Sequence, residues 1–214
     1  NTESLKPLSF IIITYNRPGD MLELLQNIAT LDSAAELLEE IIIVNNASTD
    51  DYAQVKNFIQ NNQQLPYRYF DAPENLGVAK GRNYAIKKGR APIIIMLDDD
   101  AVLQNKDCLV NLVTEFDTQN TERPKAIVSF KVLYYDTLQM QQNALPHKRF
   151  NEYKDKSFFE TYYYAGGAHA VKREVIENLG LYPEDFFYGM EEYDLSYRIL
   201  ETDYAIVYSD KIVM

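Results

Sequence analysis

The chain is 214 residues long, and its 46% hydrophobic and 25% charged residues are typical of a globular protein rather than a disordered one. Its formal net charge of −11 at pH 7 argues against nucleic-acid binding, which needs a basic surface. No apolar run reaches the roughly 18–20 residues of a membrane-spanning helix, and no signal peptide is recognisable. The single cysteine, Cys108, excludes an internal disulfide, so a reducing, cytoplasmic setting fits best.

The first half of the chain alternates short β-rich runs with helical patterns. Strands are predicted at "LSFIIITY", "EEIIIVNN", "YRYFDAP" and "PIIIML", and helices between them at "RPGDMLELLQNIATL", "STDDYAQVKNFIQNN" and "NLGVAKGRNYAIKKG". Strands and helices that alternate in this way form right-handed βαβ units. The pattern therefore predicts an α/β, Rossmann-like fold with a mostly parallel central sheet and helices on both faces.

The second half of the chain is less regular. Helices are predicted at 109–116 and 190–201, strands at 125–135 and 204–208, a polar loop at 139–157, and a strand or turn followed by a helix within 164–180. Nothing in the composition marks a linker between domains. We therefore expect a single domain, residues 1–214, made of an N-terminal half, 1–103, and a C-terminal half, 104–214.

Polar residues follow each of the four early strands, at "TYNRP", "NNASTDD", "DAPENLG" and "DDD". In an open parallel sheet, ligands bind in the crevice outside the carboxyl ends of the strands. Any one of these segments is explained equally well as an ordinary polar loop. Their coincidence after four strands predicts that they line one binding crevice.

Three consecutive carboxylates, Asp98, Asp99 and Asp100, end the fourth predicted strand. Because side chains alternate along a strand, we expect Asp98 and Asp100 to point together and Asp99 to point away. Their mutual repulsion would be relieved by a hard divalent cation such as Mg²⁺, which takes one or two carboxylates and completes its shell with water and substrate phosphates. The alternative is a solvated acidic turn.

A basic helix begins after "ENLG" and carries Lys80 and Arg82 in its first turns. A helix N-terminus with cationic side chains favours phosphate, and Gly77 would let the backbone approach it closely. The alternative is a solvated basic face with Gly77 serving only a turn. Neither the P-loop nor the dinucleotide-binding fingerprint occurs.

A second acidic cluster, Glu191, Glu192 and Asp194, opens the helix predicted at 190–201. Carboxylates are favoured at a helix N-terminus, and Asp194 and Arg198 could be a purely local i,i+4 pair. However, three aromatic residues, Phe186 to Tyr188, directly precede the cluster. A carboxylate beside apolar surface can have a pKa suited to a general base.

Six segments in order carry a family resemblance: "FIIITYNRP", "IIIVNNASTDD", "NLGVAKGRN", "LDDDA", "AGGAHAVKREVI" and "FFYGMEEYDLSYRI". The chain resembles the family 2 glycosyltransferases, which have the GT-A fold. The resemblance implies an inverting, metal-dependent enzyme that transfers a sugar from a nucleotide-diphosphate sugar to an acceptor hydroxyl. It implies that the N-terminal half binds the nucleotide and the C-terminal half binds the acceptor.

The resemblance also implies site residues. Nucleotide-sugar contacts are expected from Thr14, Tyr15, Arg17, Asn45, Asn46, Gly77, Arg82, Asp98 and Asp99. Mn²⁺ or Mg²⁺ would be held by Asp100, the most direct ligand, and Asp98. Gly166 and Gly167 would leave room for the donor sugar and the acceptor. Glu192 would be the catalytic base, with Glu191 and Asp194 supporting it.

Three departures from the family pattern bear on these expectations. Asn45 stands where many members have Asp, so the base of the donor is open, although a UDP-sugar is the first expectation. Glu191-Glu192 replaces the usual Glu-Asp pair. Many members carry a metal-binding His just after a segment like "YAIVYSDKIVM", where this chain ends. We therefore expect a catalytic core truncated at its C-terminus, and treat His147 and His169 as structural.

The expected acceptor is a saccharide or a lipid-linked saccharide, in the synthesis of cell-surface polysaccharide or glycoconjugate. Such a setting implies the cytoplasm, with peripheral association at the inner face of the membrane. The tyrosine-rich "ETYYYAGG" offers rings that could stack on sugars or serve as core residues. Two alternatives stay open: "LDDDAV" also fits a haloacid-dehalogenase-type phosphatase, and the chain could be a nucleotide-sugar-binding module without turnover.

Overall fold

The computed structural model describes residues 3–185 and 191–214. Within them, the strands are β1 (Leu8–Thr14), β2 (Leu38–Asn45), β3 (Tyr67–Asp71), β4 (Ile93–Asp98), β5 (Lys125–Lys131), β6 (Phe158–Thr161), β7 (Ala168–Lys172) and β8 (Ala205–Val213). The helices are α1 (Pro18–Ala29), α2 (Ala34–Leu37), α3 (Ala53–Asn61), α4 (Gly77–Lys88), α5 (Cys108–Asp117), α6 (Phe150–Tyr153), α7 (Arg173–Asn178) and α8 (Glu191–Leu200). None of the described helices is long and apolar enough to cross a membrane.

The strands form one sheet in the order β3-β2-β1-β4-β7-β5-β8-β6. The four N-terminal strands are parallel to one another, and β5 is parallel to β8. β7 runs antiparallel between β4 and β5, and β6 runs antiparallel to β8 at the edge. The mostly parallel sheet predicted from the alternating pattern is therefore confirmed.

Helices cover both faces of this sheet, as predicted. Along β1, Phe10 and Ile12 pack into one core cluster with Leu24 and Leu25 of α1. The intervening Ile11 packs into a second cluster, which includes several small and aliphatic residues of α4. Because side chains alternate across a strand, the continuous apolar runs of β1, β2 and β4 fill two cores at once.

The C-terminal half differs from the predicted elements in several places. β5 ends at Lys131 rather than at 135, and the region predicted as a polar loop contains a 3₁₀ turn at Gln142–Ala144 and the short helix α6. β6 was not predicted, and it is held by pairing with the distant β8. The helix α2 was also not predicted. The aromatic run at 186–188 lies outside the described residues.

Candidate active site

The polar ends of the early strands lie at one edge of the sheet. Thr14, the last residue of β1, pairs in register with Asn45 of β2, and Asn45 pairs with Asp71 of β3. On the other side of β1, Ile13 pairs with Asp98 of β4. The predicted crevice at the carboxyl ends therefore exists.

Asp99 is held against the end of β1. Its Oδ2 accepts hydrogen bonds from Thr14 Oγ1 at 2.9 Å and from the Tyr15 backbone N–H at 3.4 Å. Arg17 Nη1 lies 3.5 Å from Asp99 Oδ1 and 3.1 Å from Asp100 Oδ2, so one guanidinium offsets the repulsion between both carboxylates. Burial raises the pKa of Asp99, and the Thr14 hydrogen bond opposes that rise.

Asp98 and Asp100 share a space that Asp99 does not line. β4 ends at Asp98 and the chain turns there, so the difference comes from a turn rather than from strand alternation. Asp98 and Asp100 line a cavity of about 430 Å³, which we call the central cavity. Burial raises the pKa of Asp98, and the nearby Arg82 counteracts it.

A chain of hydroxyls behind Asp99 was not predicted from the sequence. The Arg17 backbone N–H donates to Tyr52 Oη at 3.0 Å, and Tyr52 Oη lies 2.6 Å from Thr14 Oγ1. Because Thr14 donates its only hydroxyl proton to Asp99, Tyr52 must donate to Thr14. Tyr52 is therefore a buried support for both Asp99 and the backbone at Arg17. Its position at the start of α3 gives no sequence signal of this role.

Asp98 also borders a second cavity of about 320 Å³, which we call the strand-end cleft. Its lining includes seven of the predicted nucleotide-sugar contacts: Tyr15, Arg17, Asn46, Gly77, Arg82, Asp98 and Asp99. Thr14 lies behind this lining as the partner of Asp99. Asn75 and Val78 also line the cleft and were not predicted.

The two predicted asparagines occupy different positions. Asn46 lines the cleft, and its side chain bonds Asn75 Oδ1 at 2.9 Å and the Leu76 backbone N–H at 2.9 Å. Asn45 donates to Tyr69 Oη at 2.8 Å and accepts from the Ser48 backbone N–H at 3.0 Å. Both ends of the Asn45 amide are thus used within the protein, beside the cleft rather than in its lining.

Gly77 begins α4 with a φ of +74°, a conformation that L side chains rarely adopt. Its carbonyl oxygen accepts a 3.3 Å hydrogen bond from the amide of Asn46. The glycine therefore lets the backbone make a tight entry into the helix at the cleft wall. This positions the N-terminus of α4 where a diphosphate was expected.

Arg82, on α4, joins the cleft to the C-terminal half. Its Nη2 donates to the Gly166 carbonyl at 2.8 Å, and its Nη1 lies 3.7 Å from Glu191 Oε1. Burial lowers the pKa of Arg82, but Tyr182, Asp98 and Glu191 more than reverse the effect, so the group stays charged. Its Nη1 has no hydrogen-bond partner within residues 3–185 and 191–214. A buried cation with a donor to spare suits an anionic ligand.

The Gly166-Gly167 turn is the meeting point of the candidate site. A Cβ built on Gly166 would lie 3.5 Å from the carboxyl carbon of Glu192, so that carboxyl group faces the turn. A Cβ on Gly167 would lie 2.2 Å from Asp98 Oδ2. The turn therefore lies between the end of β4, Arg82 and the start of α8.

Glu191 and Glu192 open α8, but their environments differ. Glu191 is buried near Arg82, and burial raises its pKa, with the charge of Glu192 adding to the rise. Glu192 is half-buried, and its Oε2 finds no hydrogen-bond partner in the described part of the chain. Glu192 is outside the linings of the two cavities, but its carboxyl group faces Gly166, which lines the central cavity. An unpaired carboxylate oxygen in this position is able to accept a proton from a substrate hydroxyl.

Asp194 points away from this meeting point. It accepts a 2.7 Å hydrogen bond from Arg198 Nε, one turn along α8. Arg198 also donates to the backbone carbonyls of Leu179 and Leu181 and so anchors α8 to the preceding segment. Of the two interpretations of Asp194, the geometry favours the local pair.

The donor set fits a hard divalent ion held partly by substrate. No group of three or more His, Cys, Asp or Glu side chains suited to a metal occurs among the described residues. Asp98 and Asp100 offer two carboxylates on one cavity, and Mg²⁺ or Mn²⁺ commonly takes one or two carboxylates plus phosphate oxygens and water. The residues present therefore fit such an ion when a diphosphate completes its shell.

Neither histidine belongs to this donor set. His169 is fully buried on β7, its Nδ1 lies 2.9 Å from the Ala165 carbonyl, and burial lowers its pKa to about 3. His147 stacks on the Tyr153 ring, with 3.5 Å between ring centroids. Both environments agree with the predicted structural role.

Comparison with known proteins identifies the family of this chain. The sequence model of glycosyl transferase family 2 matches residues 9–180, most of the chain. An uncharacterized Haemophilus influenzae protein is 28% identical over 86% of this chain and 96% of its own length. The poly-beta-1,6-N-acetyl-D-glucosamine synthase of Staphylococcus aureus is 28% identical over 48% of this chain, which is 24% of the synthase.

The fold has a solved counterpart in a mannosyltransferase from Pyrobaculum calidifontis, determined in complex with GDP-Man and Mn²⁺. The TM-score is 0.77 at 24% sequence identity, and the match covers 99% of this chain and 57% of the mannosyltransferase. This chain thus spans little more than half of that protein and about a quarter of the synthase. The family assignment also removes the basis for the haloacid-dehalogenase interpretation of "LDDDAV". The chain belongs to glycosyl transferase family 2, a family of glycosyltransferases, and it has the GT-A fold.

Proposed function

We propose that this chain transfers a sugar from a nucleotide-diphosphate sugar to an acceptor hydroxyl, with inversion at the anomeric carbon. The observation that carries the proposal is the Gly166-Gly167 turn, which lies against Asp98 on one side and the Glu192 carboxyl group on the other. The turn's own carbonyl accepts a hydrogen bond from the buried Arg82. Charge stabilisation for a leaving diphosphate and a candidate base thus lie on the same short segment.

In the proposed reaction the acceptor oxygen attacks the anomeric carbon on the face opposite the diphosphate. The new carbon–oxygen bond forms as the bond to the diphosphate oxygen breaks, and the diphosphate leaves with that electron pair. Glu192 takes the proton of the attacking hydroxyl. Glu191, whose pKa burial raises, would lie behind the base rather than act as one.

Negative charge grows on the diphosphate as it leaves, so stabilising it lowers the barrier. A divalent ion held by Asp100, with Asp98 beside it, would supply positive charge there when bound. Arg82 lines the cleft with an unpaired Nη1 in the described structure and would donate to a phosphate oxygen. Arg17, whose guanidinium lies beside Asp99 and Asp100 at the rim, would add a further positive charge there.

Few contacts bear on which nucleotide base the donor carries. UDP-sugars remain the first expectation from the family resemblance, and the mannosyltransferase complex with GDP-Man makes GDP-sugars the second. Asn46 lines the cleft and would approach the base, whereas Asn45 would act through the turn that it supports. The base is therefore a matter for direct titration.

The acceptor we propose is a saccharide or lipid-linked saccharide, in the synthesis of cell-surface polysaccharide or glycoconjugate. The similarity to the N-acetyl-D-glucosamine polymer synthase supports a polysaccharide pathway. Such a pathway would place the chain in the cytoplasm, associated peripherally with the inner face of the membrane. Fractionation of cells that express the chain would test this location.

The proposed site is tested by calorimetric titration of UDP, GDP and dTDP, each with and without Mn²⁺. Binding of one diphosphate that depends on Mn²⁺ and is lost in Asp100→Ala is the expected result. Absence of binding by all three with Mn²⁺ present would overturn the proposal. A protein that binds the nucleotide but neither hydrolyses nor transfers its sugar would instead be the non-catalytic binding module.

A further inference from the structure

A third cavity, of about 680 Å³, lies on the C-terminal half, and we call it the tyrosine groove. Its aromatic walls are Tyr162 and Tyr163 after β6, Tyr193 and Tyr197 of α8, His147, and Phe150 of α6. Polar side chains, including Asn143 and Ser196, complete the lining. Rings interleaved with amide and hydroxyl groups are the surface that a sugar ring, with its apolar faces and polar rim, would match.

The exposed tyrosines of the protein are not scattered. Tyr15 lines the strand-end cleft, two exposed tyrosines line the central cavity, and Tyr162, Tyr193 and Tyr197 line the groove. These six are all the exposed tyrosines within the described residues. Isolated exposed apolar residues need no explanation, but exposed rings confined to cavities indicate a binding surface.

Several rings of the groove are fixed before any ligand arrives. Tyr162 Oη accepts from the Lys148 backbone N–H at 3.2 Å, and Tyr163 Oη donates to the Leu145 carbonyl at 3.3 Å. The His147 ring packs against Tyr162 with centroids 5.8 Å apart. Rings held in this way lose little conformational freedom on binding, which favours affinity.

The groove adjoins the candidate active site. Asn143 lines both the groove and the central cavity, which Asp98 and Asp100 also line. On α8, Tyr193 directly follows Glu192, and Tyr197 lies one turn further on. A chain seated on these tyrosines would therefore run along the helix that carries the candidate base.

The charge of the groove narrows its ligand. None of the described residues that line it is a carboxylate, in a chain of net charge −11, and Lys148 is the one lining residue with a permanent positive charge. A cationic ligand would be repelled by Lys148 and would find no lining carboxylate to pair with among the described residues. A neutral or acidic saccharide suits the lining, and its length would exceed one ring because the tyrosines lie on two separate elements.

We propose that the tyrosine groove binds the acceptor as an oligosaccharide, with successive sugar rings stacked on Tyr193, Tyr197 and Tyr162. The proposal rests on the proposed function, because the groove would hold the acceptor of that reaction. It assigns chain extension, rather than addition to a single free sugar, to this site. Binding in the groove itself needs neither nucleotide nor metal.

The test is calorimetric titration of the full chain, without nucleotide, with three neutral tetrasaccharides: β-1,6-linked N-acetylglucosamine, α-linked mannose and β-1,4-linked glucose. The matching monosaccharides are titrated alongside. Tyr193→Ala and Tyr197→Ala remove exposed rings, so the fold should survive. Tyr204→Ala removes a tyrosine outside the three cavities and is the control; because Tyr204 packs partly against the core, its variant is titrated only after circular dichroism shows that it is folded.

At least one tetrasaccharide should bind more tightly than its monosaccharide, and Tyr193→Ala and Tyr197→Ala should each weaken it by about three- to tenfold, the scale of one stacked ring. Tyr204→Ala should bind as the unaltered chain does. The proposal would be overturned if no tetrasaccharide bound at millimolar concentration. It would also be overturned if the affinity were the same in both substituted proteins as in the unaltered chain. Titration of the same samples with nucleotide and Mn²⁺ reports separately on the proposed function, which survives if only saccharide binding fails.

Discussion

Gly167 and Asp98 lie so close that a Cβ added to the glycine would be 2.2 Å from Asp98 Oδ2. The overlapping atoms are the carboxyl group of Asp98, at the end of its side chain, so the overlap is relieved only if that carboxyl group moves. The absence of a side chain at 167 therefore sets the position of the carboxylate. Gly167 therefore leaves room for the Asp98 carboxyl group, in addition to the expected room for the donor sugar.

Gly167→Ala should displace the Asp98 carboxyl group and weaken Mn²⁺-dependent nucleotide binding by at least about tenfold, with a loss of at most about 1 kcal/mol in the free energy of unfolding because a side-chain end can move. Calorimetric titration and chemical denaturation measure the two effects. Gly19→Ala is the control, since a Cβ there meets nothing within 4 Å. Unchanged nucleotide affinity in Gly167→Ala would show that Asp98 does not need this position.

Tyr52→Phe should disconnect the hydroxyl chain behind Asp99. It leaves the part-buried Arg17 backbone N–H without its 3.0 Å partner and the buried Thr14 hydroxyl without its donor, which together cost about 1–3 kcal/mol of unfolding free energy. Because Arg17 and Asp99 line the strand-end cleft, nucleotide binding should also weaken several-fold. Tyr204→Phe, which removes a hydroxyl bonded to exposed Glu174, should change neither quantity. Full nucleotide affinity in Tyr52→Phe would count against the support role.

His169 should make the protein less stable in mild acid. Its folded pKa of about 3 lies below the unfolded value of about 6.5, so the unfolded state binds more protons between these values and stability falls as pH drops through that window. The loss between pH 7.5 and 5.0 should be about 2 kcal/mol larger in the unaltered chain than in His169→Asn. Chemical denaturation at the two pH values measures it. Burial and Arg149 also lower the pKa of His147, so His147→Asn should reduce the acid loss too, but by less than His169→Asn does because His147 is partly exposed. The same pH response in His169→Asn would refute the assignment.

The N-terminal half of the fold was predictable because its signals are local. The runs that became β1, β2 and β4 are apolar on both faces, and helical spacing and turn residues mark α1 and α4 between them. β6 gave no such signal, because it is only four residues long and depends on pairing with β8, about fifty positions away. A strand defined by a distant partner is not visible in its own sequence.

The candidate site divides in the same way. Asp98, Arg82 and Glu192 were predicted from motif residues, and the structure brings all three to the Gly166-Gly167 turn. Tyr52 and Asn75 were missed because their roles arise from packing between elements distant in the chain. The local pairing of Asp194 with Arg198 was visible as an i,i+4 spacing, but only the structure favours it over a role beside the base.

In the proposed reaction, Asp100 serves binding of the nucleotide and metal, and Glu192 serves the chemical step. The most direct measurement titrates the best-binding nucleotide with Mn²⁺ into Asp100→Ala and Glu192→Gln and follows sugar transfer by the same samples. Asp100→Ala should lose metal-dependent binding, whereas Glu192→Gln should bind normally and transfer about 10²- to 10⁴-fold more slowly. Equal loss of binding in both variants, or normal transfer by Glu192→Gln, would contradict the account.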